Sequence, residues 1–87
     1  MVGKTSTGFE VTIDDDVFDD IELVEQLAVI DGGDRAQFPL VLERVLGKEQ
    51  KKALYDHLRN EKGRVSIAAA MQAFGEIFES VGATGKN

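Results

Sequence analysis

The chain has 87 residues, no cysteine and a net charge of −6. That length gives one domain of modest stability with neither a disulfide nor a thiolate metal site. No apolar run approaches the roughly 20 residues of a membrane span, and MVGKTSTG lacks both the apolar core of a signal peptide and a glycine at position 2 for myristoylation.

The charge is uneven. Residues 1–34 hold ten acids against Lys4 alone, a balance of −9, while residues 35–87 hold six acids and nine bases, a balance of +3. An acidic first third repels phosphate, so neither nucleic acid nor an anionic membrane is expected as a partner. The same polarity permits head-to-tail self-association.

Residues 1–8 are small and polar and read as a mobile end. Phe9, Val11 and Ile13 alternate with Glu10 and Thr12, which suits one short strand or an extended arm. A first helix is expected from about Asp19 to Ile30. Acids crowd its start, and Val17, Ile21, Val24, Leu27 and Ala28 form its inward stripe. Asp31-Gly32-Gly33-Asp34 is the turn that ends it.

A second helix fits Gln37–Leu46, with Pro39 in the first turn and Phe38, Val41, Leu42 and Val45 on one face. Gly47 separates it from a third, Lys48 to about Asn60. The fourth and most amphipathic helix starts at a Ser66 cap and stops at Gly82. Ile67, Met71, Phe74, Phe78 and Val81 form its stripe, which Ala70 and Ile77 widen to an arc of about 120° with Phe74 near the centre. The fold class expected is therefore all-α: a small bundle of about four short helices, with one N-terminal strand or arm. It makes a single helical domain over 1–87, with an ordered core at about 16–82 and mobile ends at 1–8 and 83–87.

No motif carries chemistry. Gly3-Lys4-Thr5 resembles the end of a phosphate loop but lacks the strand and the earlier glycine. Asp14, Asp16 and Glu25 match three positions of a calcium loop, yet Phe18 stands where an oxygen ligand belongs and Asp19 where the glycine belongs. His57 is the sole histidine and has no nucleophile or thiolate beside it in sequence. A helix-turn-helix reading puts Gln72, Glu76 and Glu79 on the recognition helix, where DNA would repel them. The Asp-Ser-Leu setting of an acyl carrier is missing. No enzyme activity, metal or cofactor is expected. Phe18, Val29, Leu40 and Tyr55 fall away from the main stripes and are candidates for a second apolar patch that binds another protein.

The order of features resembles one known family. DDIELVEQLAVID, a Leu/Val-rich helix ending in VLGKEQ, ALYDHLRNEKGRVS and a small-residue helix ending near EIFES follow one another over residues 14–82. This arrangement is similar to the tail assembly chaperones of long-tailed bacteriophages. The resemblance implies a helical protein in the cytoplasm of the infected bacterium, absent from the mature virion. It would coat the tape measure protein, recruit tail tube subunits and depart as the tube polymerises. Such relatives are often also made in a longer, frameshifted form, and Gly85-Lys86-Asn87 is compatible with a slippery A-AAA-AAC codon run. The alternative is a generic acidic helical adaptor, or an inhibitor of a bacterial regulator.

Overall fold

The computed structural model describes residues 1–81. Strand β1 (Val2–Lys4) and strand β2 (Glu10–Thr12) are followed by helix α1 (Ile21–Asp31), a short 3-10 turn at Arg35–Gln37, helix α2 (Phe38–Leu58) and helix α3 (Ile67–Ser80). The Gly82 stop and the 83–87 tail expected from the sequence lie outside the described residues.

The all-α expectation is corrected: among the described residues the fold is mixed, with three helices and a two-stranded antiparallel sheet. A strand at Phe9–Ile13 must satisfy its backbone, and it finds its partner within the chain. Val2 lies opposite Thr12, Gly3 opposite Val11 and Lys4 opposite Glu10. The residues read as a mobile polar end are thus the first strand. The ladder continues outward, with the Ile13 N–H donating to the Met1 carbonyl at 2.8 Å and the Thr5 N–H to the Phe9 carbonyl at 2.9 Å. Gly8 (φ 92) supplies the left-handed residue that closes a three-residue hairpin loop.

A two-stranded ribbon is marginal alone, so its docking matters. Gly3 is buried against α3, where an added β-carbon would stand 2.8 Å from Ile77 Cγ2. The outward Lys4 N–H donates to Ser80 Oγ at 2.9 Å. Glu76 accepts from the Ser6 N–H and the Ser6 hydroxyl, each at 2.9 Å. The Ser6 N–H first, then its hydroxyl and the Gln72 amide, hold the Glu76 carboxyl below its ordinary 4.5. On the opposite edge the Gln50 side-chain amide bonds both the N–H and the C=O of Thr12 at 2.7 Å, standing in for one residue of a third strand. His57 Nε2 lies 2.8 Å from Thr7 Oγ1, with its ring 5.1 Å from that of Phe9. The hairpin is clamped by α2 and α3, and its Val11 and Ile13 are core residues.

The second and third expected helices form the one element α2, sharply kinked at Gly47 (φ 83, ψ 163). The break falls where glycine marked it, and the two expected helical segments flank it as the arms of one kinked element, so the described residues hold three helices. Pro39 sits in the first turn as expected, and Phe38, Val41, Leu42, Val45, Leu46 and Leu54 are buried. Ser66 caps α3 through a bond from the Ala69 N–H at 3.2 Å. The buried face of α3 is Ala70, Ala73, Phe74 and Ile77, turned from the expected arc toward Ala73, and Ile67 is left 58% exposed. Small side chains at 70 and 73 let neighbouring elements come close, so the geometry favours that face over a stripe of larger ones.

Replacing Gly3 by alanine forces a methyl group into fully buried Ile77. We expect a loss of about 1–3 kcal/mol in urea unfolding. An unchanged midpoint would show that β1 does not lie on α3.

Candidate functional site

Helix α1 has more apolar positions than one buried face can use. Seven of the eleven residues in IELVEQLAVID are apolar, and all but Val29 form two overlapping stripes: Leu23, Leu27 and Ile30, and Ile21, Val24 and Ala28. Asp20 caps the helix by accepting from the Glu22 and Leu23 N–H groups, and it also accepts from Arg44 Nη1 at 3.0 Å. Burial pushes the Asp20 carboxyl up, but the bonds from Arg44, Glu22 and Leu23 outweigh it and hold the group below 3.8. The Arg44 contact ties the start of α1 to α2. Leu23 is then buried and Leu27 and Ile30 are half-buried.

The stripe expected to face inward is therefore largely outside. Ile21 is 72% exposed and Val24 51%, with Ala28 exposed between them and the helix end. Val24, Leu27, Ala28, Ile30 and Asp31 from α1, with Phe78 from α3, line an open groove between the two helices. Phe78 is held from behind: its ring lies 4.7 Å from Phe18, edge-on, and 5.4 Å from Phe74. The groove wall is thus preformed rather than a loose side chain.

The four residues singled out from the sequence do not share one patch. Phe18 is half-buried beneath Phe78 and supports the α1–α3 groove. Leu40, 54% exposed, lies with Gln26, Glu43 and Arg44 along the α1–α2 flank, and Val29, 45% exposed, stands one turn on from Gln26. Gln26 Oε1 on that flank is buried without a hydrogen-bond partner among the described residues. Tyr55 is elsewhere, half-buried in a groove of about 290 Å³ between α2 and α3 with Phe38, Pro39, Val65 and Ile67, its ring 6.0 Å from the Lys51 ammonium. Ile21, Val24 and Ala28 were missed as surface residues. The surplus of apolar positions on α1 was the signal for them.

Among the described residues, no three His, Asp or Glu side chains gather to hold a metal ion, and no helix is long and apolar enough to cross a membrane. Comparison with protein families, with curated proteins and with solved structures finds no match.

The placements separate two substitutions that the sequence treats alike. Phe18→Ser removes the support of Phe78, and we expect a loss of about 2 kcal/mol, whereas Leu40→Ser should stay within about 0.5 kcal/mol of the parent. Thermal unfolding of the two variants checks this; equal midpoints would contradict the packing of Phe18.

Proposed function

We propose that this chain is a tail assembly chaperone of a long-tailed bacteriophage. It acts in the cytoplasm of the infected bacterium, covering the tape measure protein and bringing tail tube subunits to it. The observation that carries this reading is the outward apolar stripe of α1 beside a preformed groove, on a chain whose order of helices resembles that family. An exposed apolar helix face is the surface that amphipathic helices dock on, through side chains at i, i+3 and i+4 spacing. It is also a solubility liability unless a partner covers it.

The charge distribution fits the task. Ten acids in the first 34 residues keep a chaperone–client complex in solution by mutual repulsion. The open groove buries little of a client helix, which suits a partner that must leave when the tube polymerises.

The test is co-expression with a fragment of the tape measure protein whose gene, on this reading, neighbours that of the chain. We expect the fragment to move from the pellet to the soluble fraction and to co-purify. A fragment equally insoluble with and without the chain would overturn the reading.

A further inference from the structure

We propose that the α1–α3 groove takes one kind of client segment: an amphipathic helix whose apolar stripe is flanked by lysine or arginine. The identity of the natural client rests on the chaperone reading; the chemistry of the site does not. Ile21, Val24 and Ala28 stand at i, i+3 and i+7 and so extend over two turns, about 10 Å. Half-buried Leu27 and Ile30 form the floor, and Phe78 the far wall. Together they make an open apolar groove between the two helices, and exposed Ile21 continues its apolar edge along α1.

Its rim is acidic. Glu25 lies on the outer face of α1 between Ile21 and Ala28, and Asp31 lines the groove at the helix end. Among the described residues, no lysine or arginine pairs with either of them, whereas Glu22, facing α2, is met by Arg44 at 3.6 Å. Asp14, Asp15, Asp16 and Asp19 add further negative charge just before the helix. An apolar trough bordered by unpaired carboxylates attracts a basic amphipathic helix and repels an acidic one.

A β-strand client fits less well. Gln50 already occupies the outward backbone of Thr12, and Ser80 that of the Lys4 N–H, so those parts of the sheet edges are closed to strand addition. The α2–α3 groove has the opposite character, with Arg35 in its lining.

The experiment uses two labelled helical peptides of about 18 residues with the same leucine stripe, one flanked by lysines and one by glutamates. Their binding to the full chain is followed by fluorescence anisotropy. We expect the lysine peptide to bind at least about ten-fold more tightly. Ile21→Ser with Val24→Ser should weaken it about ten-fold, and Glu25→Lys with Asp31→Lys should invert the preference between peptides. All four positions are exposed or on the rim, and circular dichroism confirms that the variants stay folded. Equal binding of both peptides, or binding indifferent to the serine pair, would overturn the proposal, as would a dimer in sedimentation that the serine pair dissociates. The chaperone reading fails separately: a tape measure fragment that stays insoluble sinks it while leaving the peptide result intact. Rescue of that fragment with no peptide discrimination places the client contact elsewhere.

Discussion

Gly3 allows β1 to lie directly on α3, with Ile77 where any β-carbon would go. A good deal of the molecule follows from that contact. The hairpin delivers Val11 and Ile13 into the space between α2 and α3, and polar side chains pin it at its turn and along both edges. Without the close approach the ribbon would lose its backing on α3, and two strands with little to pack on do not persist in water. A small chain has a small interior, and the hairpin fills a share of it that a further helix face would otherwise take.

The consequence falls on α1. It sends Leu23 into the core and leans Leu27 and Ile30 on it, but its second stripe meets no buried surface among the described residues. Phe18 and Phe74 meanwhile hold Phe78 in place, so the exposed stripe borders a rigid wall. Under the proposed function this is a division of labour. The hairpin, α2 and α3 carry stability, and the outer side of α1 is kept apolar for a client.

Much of the helical content was legible in the sequence because its signals are local. Ser66 caps α3, Pro39 opens α2, Asp31–Gly33 ends α1 and Gly47 breaks the backbone, each for reasons contained in a few neighbouring residues. The first strand was not legible. Val2-Gly3-Lys4 has one apolar side chain, and its buried residue is a glycine chosen for what it lacks; only the contact with Ile77 gives it meaning. The rotation of α1 was hidden for a different reason. Two apolar stripes one residue apart make periodicity ambiguous, and which of them is buried is a matter of tertiary packing, where Leu23 enters the core. Ile67 shows the same effect on α3, where Ala70 and Ala73 win the inner position over a larger side chain. The expected patch failed as a unit because Phe18, Leu40 and Tyr55 are in three places, a matter of tertiary arrangement that no wheel contains. Val29 and Leu40 are exposed, as residues off the main stripes should be.

The most direct test of the account is an amide chemical-shift map of the labelled full chain, titrated with a soluble tape measure segment. The account predicts that the largest changes fall within Ile21–Asp31 and around Phe78, with the hairpin turn at Ser6–Gly8 and the Tyr55 groove almost unmoved. Changes centred on Tyr55, Val65 and Ile67, with α1 silent, would contradict it.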